Sequence, residues 1–311
     1  MASPANDTAP LVTEDTLSTT MRLLAGNASF ETTPKQSQKI ASFAAILPEA
    51  TRVFIAFIPG DTTENMVALT KRLVDEGMVP VPHVPARNMT STSMFERYVA
   101  DLASAGADHA LVIAGGLPKP EGPYHSSLQL LATGLFEQHG FTSLFVAGHP
   151  EGSPDISDAE IRAALAEKNQ IAERSSFDMK IATQFSFSAD TVIDWENRII
   201  AGGNRLPVRI GLAGPASITS LMRFATMCGV KASTSFLSKS GSKALKLVGS
   251  RAPDDVLTAL ARHQLQHPNT IIEGVHMYPF GGFDKTAQWV GSVRRGEFQL
   301  SRDMQGFNVR G

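Results

Sequence analysis

The sequence predicts a single (β/α)8 barrel, and three observations lead there. Short runs rich in Val, Ile and Phe alternate with longer helical stretches along nearly the whole chain, and parallel neighbouring strands require such crossovers. Eight strand–helix units in roughly 280 residues match a barrel in number and size. Polar residues, histidines and glycines gather at one end of the strands, where a barrel keeps its active site. A doubly wound open sheet is the competing architecture on the same alternation.

In chain order, residues 1–20 are rich in Ala, Ser, Thr, Pro and Asp and read as a flexible tail, poorly ordered before about Leu17. Residues 21–311 form the barrel, with no internal repeat and no linker. The predicted strands are Ala28–Glu31, Val53–Ile58, Val79–Val84, Ala110–Ala114, Leu144–Ala147, Lys180–Phe185, Val208–Leu212 and Thr270–Met277. Thr62–Glu76 carries Met66, Leu69 and Leu73 on one helical face, and Gly77 stops it. Thr92–Ala105, Ser126–Gln138 and Ile156–Arg174 follow the same pattern, the last with Asp155 and Asp158 placed to cap it. Pro215 suits the first turn of a helix running to Met227. Lys231–Gln266 reads as one or two helices with a Ser/Gly/Lys-rich loop.

Composition excludes several function classes. The 311 residues carry a formal net charge of −2, with 42% hydrophobic and 19% charged residues. That is an ordinary globular balance, without the basic face of a nucleic-acid binder. A lone cysteine, Cys228, excludes a disulfide framework and a cysteine zinc site, and suits a reducing cytoplasm. No apolar run approaches the roughly 20 residues of a membrane span. MASPANDTAPLVTED lacks the basic and apolar regions of a signal peptide. The expectation is a soluble cytoplasmic protein, with a homo-oligomer left open.

The predicted strand ends supply the chemistry. They carry Ser29-Phe30-Glu31, His83, Gly115-Gly116, His149-Pro150-Glu151, Thr183-Gln184-Phe185, Gly211 to Pro215, and His276-Met277-Tyr278. Each has a plainer reading. Glu31 suits a solvated loop, His83 and His276 suit core histidines, and the glycines suit ordinary turns. Walker A, zinc-protease, nucleophile-elbow and dinucleotide glycine motifs are absent, as are metal-ligand clusters. Glu31 or a histidine could serve acid–base chemistry.

The ordered string of these motifs resembles the methylenetetrahydrofolate reductase family. Ser29-Phe30-Glu31-Thr32-Thr33-Pro34-Lys35 is similar to its S-F-E-F-F-P-P-K opening, Pro82-His83-Val84 to its P-H-L, and Ala147 to Pro154 to its A-x-Y-P-E-x-H-P. Thr183-Gln184-Phe185-Ser186-Phe187 is similar to T-Q-F-F-F, Gly211 to Pro215 to G-I-x-P, and His276-Met277-Tyr278 to H-F-Y. The resemblance implies an FAD-containing barrel that interconverts 5,10-methylenetetrahydrofolate and 5-methyltetrahydrofolate, with NADH or NADPH as co-substrate. It implies Glu31 as general acid, and Phe30, Gln184, Ile218 and Tyr278 as substrate contacts. It implies cofactor contacts from Ala56, His83, Ala114, Gly115, Gly116, Tyr124, His125, His149, Lys168 and Gln184.

At several positions the chain departs from the family pattern. Ala114 and Gly116 stand where the family's A-L-R-G-D has Arg and Asp, and Ala56 where it has Thr. His149 replaces the Tyr of Y-P-E, and Ser153 replaces its His. Two alternatives fit these losses: a flavin-free barrel that binds a folate or another pterin for methyl transfer, and a non-catalytic partner protein.

Overall fold

The computed structural model of the chain describes residues 12–227 and 250–310. Cys228 and residues 231–249 of the predicted helix-and-loop segment lie outside them, as does the start of the predicted tail. The strands, in chain order, are β1 (Ser29–Thr32), β2 (Arg52–Ile55), β3 (Val79–Pro85), β4 (His109–Ile113), β5 (Ser143–Gly148), β6 (Asp178–Phe185) and β7 (Val208–Ala213). A short antiparallel pair follows, β8 (Ala216–Ser217) and β9 (Ser250–Arg251), and then β10 (Ile272–Tyr278).

Eight of these strands close into a parallel barrel in the order β1-β10-β7-β6-β5-β4-β3-β2. The predicted barrel is the observed one, and the open sheet is excluded.

Period-two alternation divides the strand side chains between two cores. Phe54, Val81, Leu111, Phe145 and Ala182 point inward and form one cluster. Their neighbours Val53, Ile55, Val112, Leu144, Val146 and Ile181 point outward into the larger cluster beneath the helices. Helix Thr63–Asp75 buries Met66, Leu69 and Leu73 there, the face its spacing predicts.

Several elements differ from the sequence reading. Residues 14–20 are not a loose tail: Glu14–Gly26 is helix α1, opened by a capping box at Thr13 and burying Leu17, Met21 and Leu24. It packs against helices Asp254–Gln266 and Phe283–Arg295. Ser126–Gln138 is two short helices, Ser127–Leu131 and Leu135–Gln138, parted by Gly134 in the left-handed region. The cap of helix Asp158–Arg174 is Ser157, which accepts from the Glu160 amide while Glu160 accepts in return. Asp155 and Asp158 do not take that role. Helix Phe283–Arg295 and the hairpin Phe298–Leu300/Phe307–Val309 lie beyond the predicted elements. No helix of the described residues is long and apolar enough to cross a membrane.

The barrel interior makes a testable demand. Phe145 is fully buried, with its ring centroid 4.9 Å from that of Phe54. Phe145→Ala should destabilise the fold by about 3–5 kcal/mol. The measurement is a lowered urea midpoint at unchanged m-value.

Candidate active site

Inward-facing residues at the carboxyl ends of the strands converge on Glu31. Its Oε2 lies 3.5 Å from His83 Nε2 on β3 and 3.7 Å from His276 Nε2 on β10. Parallel register brings these together: β1 pairs with both β2 and β10, setting Ser29 beside His276. His276 Nδ1 is 2.9 Å from Ser29 Oγ, which also receives the Arg209 Nε–H at 3.3 Å. The Phe54 ring stands 4.4 Å from His276 and 6.4 Å from His83.

Burial sets the protonation of both histidines. It pushes His83 down to about 4, against the attraction of Glu31. Burial also lowers His276, again opposed by Glu31. Both rings are therefore neutral at pH 7. His83 Nε2 is buried and, among the described residues, has no hydrogen-bond partner. A buried ring nitrogen without a partner is costly unless a ligand supplies one.

Gln184 is held from behind. Thr183 Oγ1 accepts from the Gly211 amide and donates to the Gln184 carbonyl, both at 2.8 Å, and Tyr278 Oη donates to the Thr183 carbonyl at 2.9 Å. The β6–β7 register shifts between Ala182 and Phe185, and a Cβ at Gly211 would meet the Gln184 carbonyl oxygen at 2.6 Å. Glycine is required there for the backbones to approach. The Gln184 amide itself has no partner among the described residues, and its side chain is only half-buried. It is a rigidly mounted donor and acceptor.

On the opposite side of the mouth, burial pushes Lys168 down to about 8, and it has no carboxylate partner among the described residues. It faces His149, which burial and that ammonium together push down to about 4. Glu151 accepts from Ser186 Oγ at 2.8 Å, tying the β5 loop to the end of β6.

The loop after β4 carries Ala114, Gly115 and Gly116. Arg87 holds it: its amide donates to the Ala114 carbonyl at 2.9 Å, and its guanidinium to the carbonyls of Leu117 and His125 at 2.9 and 3.2 Å. Gly115 has φ +92°, a glycine conformation. Gly116 borders a cavity of about 890 Å³ shared with Phe57, Asn88 and Tyr98, and a Cβ there would meet nothing within 4 Å.

Three of the expected contacts sit elsewhere. Phe30 faces outward and packs 5.6 Å from Phe283, because alternation on β1 puts Ser29 and Glu31 inside. Tyr124 is buried against Phe95 in the outer core. His125 is exposed, and its backbone carbonyl serves Arg87. Ala56 is buried just past β2, and Ile218 opens the helix after β8. Among the described residues, no three His, Cys, Asp or Glu side chains are arranged to hold a metal. Arg87 and Arg209 are the members that motif reading did not select, and Ser29, read as part of the first motif, was given no role of its own.

A curated 5,10-methylenetetrahydrofolate reductase of Pectobacterium carotovorum subsp. carotovorum is 23% identical over 172 residues, 55% of each chain. The present chain thus spans about half the length of the curated relative it matches. No family model matches the chain. Among solved structures, the dihydropteroate synthase of Thermus thermophilus is 12% identical, with 85% of this chain and 92% of that one covered at a TM-score of 0.42. The triosephosphate isomerase of Bartonella henselae is 11% identical, with 86% and 99% covered at 0.40.

The depressed histidines give a pH prediction. Unfolded histidine binds a proton near 6.5, whereas folded His83 and His149 bind one only near 4. Between those values the unfolded chain holds more protons, so their contribution is complete above about 6.5 and is lost as pH falls toward 4. Urea midpoints across that window should fall on acidification, and should fall less steeply in His83→Gln.

Proposed function

We propose that the chain interconverts 5,10-methylenetetrahydrofolate and 5-methyltetrahydrofolate, with FAD as cofactor and NADH or NADPH as co-substrate. The observation that carries the reading is Glu31 at the mouth, its carboxylate flanked by two neutral histidines. The order of strand-end motifs and the similarity to a 5,10-methylenetetrahydrofolate reductase support it.

The residues present fit a flavin. The partnerless His83 Nε2 and the free Gln184 amide suit the polar edge of its ring. Lys168, a buried ammonium without a carboxylate, suits an anionic group such as a pyrophosphate. When bound, FAD would relay hydride between the nicotinamide and the folate.

The chain's own residues supply the rest. Glu31 gives a proton to the leaving amine nitrogen as the folate's five-membered ring opens, and takes one from that nitrogen in reverse. Gln184, braced by Thr183 and Tyr278, orients a planar ring by amide hydrogen bonds. Neutral His83 and His276 bring no competing positive charge to Glu31. Phe54 closes the floor between them against water.

The direct test is the visible spectrum of the purified protein, before and after NADH or NADPH. A yellow protein that bleaches supports the reading. A colourless one that cannot be reconstituted with FAD overturns it in favour of a flavin-free pterin barrel. Glu31→Gln should keep reduction by nicotinamide while losing about 10²–10⁴-fold in the folate step. Equal loss in both half-reactions in stopped flow would make Glu31 structural.

Gly116 allows a second test, because a side chain there meets open space. Gly116→Asp restores the family's carboxylate beside the flavin. It should tighten folate binding through an added hydrogen bond, and a nearby negative charge should lower the flavin potential. An unchanged potential in a dye-equilibration titration would place Gly116 away from the flavin.

A further inference from the structure

Arg209 projects from β7 into the barrel, 1% exposed. Its Nη1 donates to Glu273 Oε1 at 3.1 Å, and Glu273 Oε2 is 3.4 Å from Lys180 Nζ. Nη2 donates to the carbonyls of Asn27 and Val275. Nε donates to Ser29 Oγ at 3.3 Å. Gly274 makes room, since a Cβ there would meet Arg209 Nη2 at 3.0 Å. These backbone and side-chain anchors hold the guanidinium directly beneath the Ser29–His276 pair.

We propose that Arg209 is a positioning residue that sets the tautomer of His276 through the Ser29 hydroxyl. A guanidinium can only donate, so Ser29 Oγ is the acceptor in that bond. The single hydroxyl proton of Ser29 then goes to a second partner. The candidates are His276 Nδ1 at 2.9 Å and the Val275 carbonyl at 3.4 Å. An Nδ1–H donated to the second Ser29 lone pair would leave the hydroxyl proton only the long Val275 contact and would turn a bare Nε2 toward the Glu31 carboxylate 3.7 Å away, so the hydroxyl donates to Nδ1. The Val275 oxygen already receives Arg209 Nη2–H, which weakens its claim further. His276 Nδ1 is therefore the unprotonated nitrogen, and the proton of the neutral ring sits on Nε2. That N–H faces Glu31 Oε2, 3.7 Å away. The Arg209 charge also opposes a second proton on the ring, reinforcing the effect of burial. The groups facing His276 are Glu31, Ser29, Arg209, Phe54, Tyr278 and the neutral ring of His83. Among them only Glu31 favours the charged imidazolium.

The outcome is a one-way chain of donors, Arg209 to Ser29 to His276, that leaves Nε2–H pointing toward Glu31 across 3.7 Å. Its bearing on turnover rests on the folate reading, whereas its effect on the ring does not. The test is accordingly made on the ligand-free protein.

Two-bond ¹⁵N–¹H correlation spectra of histidine-labelled protein report which ring nitrogen carries the proton. The wild type should show His276 protonated at Nε2, with Nδ1 at the position of a hydrogen-bonded acceptor. In Arg209→Met the Ser29 hydroxyl is released, so an Nδ1–H population should appear and the ring's titration midpoint should rise. Arg209→Lys, which keeps a donating cation, should return both toward wild type. A wild-type proton on Nδ1 overturns the proposal. So do His276 signals and a midpoint that Arg209→Met leaves unmoved. Should Arg209→Met fail to fold, Ser29→Ala decides. It should move Nδ1 to the position of a free acceptor while Nε2 stays protonated, and an unmoved Nδ1 signal overturns the proposal.

Discussion

A guanidinium sealed inside a closed barrel constrains everything placed above it. Burying a charge costs several kcal/mol unless nearly every donor is matched, and Arg209 is matched by Glu273, Asn27, Val275 and Ser29. These partners come from β1, from β10 and from the turn that leads into β1. The interior is consequently split. Its polar half runs along β6, β7, β10 and β1, with Lys180, Arg209, Glu273, Ser29 and His276. Its apolar half runs along β2 to β5, with Phe54, Val81, Leu111 and Phe145. The split decides where a carboxylate can be aimed, because Glu31 stands where the two halves meet.

The barrel order gives the mouth an electrical direction. β1 and β5 are four strands apart in a ring of eight, hence on opposite sides. Glu31 projects from β1, while Lys168 faces His149 at the β5 side. An anionic group is attracted to the β5 side, and a group that exchanges a proton meets the carboxylate on the β1 side. The histidines at both positions are kept neutral by burial, so they leave this field undisturbed.

Much of the fold was legible because alternation and helix spacing are local signals. Met66, Leu69 and Leu73 show it, falling on the buried face their spacing predicts. Helix α1 was not legible in the same way. Its first turn, Glu14 to Thr16, is polar and exposed, and its apolar face acquires meaning only against the last two helices. At the mouth, strand-end motifs located Glu31, His83, Gln184 and His276 without showing that both histidines face one carboxylate oxygen. Phe30 was misplaced because a motif does not say which way a strand residue points. A one-residue alternation sends it to the outer core. Arg209 did leave a signal: a charge in Val208-Arg209-Ile210-Gly211, on a strand buried on both faces, demands partners.

The loop after β4 shows how a lost side chain changes a site without unmaking it. Ala114 and Gly116 contribute only backbone, so the loop needs an anchor from elsewhere. Arg87, just past β3, supplies it by donating to two loop carbonyls. Among the described residues Arg87 has no carboxylate partner, so its charge is solvated by carbonyl dipoles and remains available to the loop's surroundings. The family pattern has both signs of charge on strand four itself. Here the negative one is missing and a positive one arrives from the neighbouring strand, pinned by carbonyls. The cavity that Gly116 borders still carries carboxylates, Asp61, Glu64, Asp101 and Glu121 against the cation Arg97, but they come from neighbouring loops and helices rather than from the position at the end of strand four.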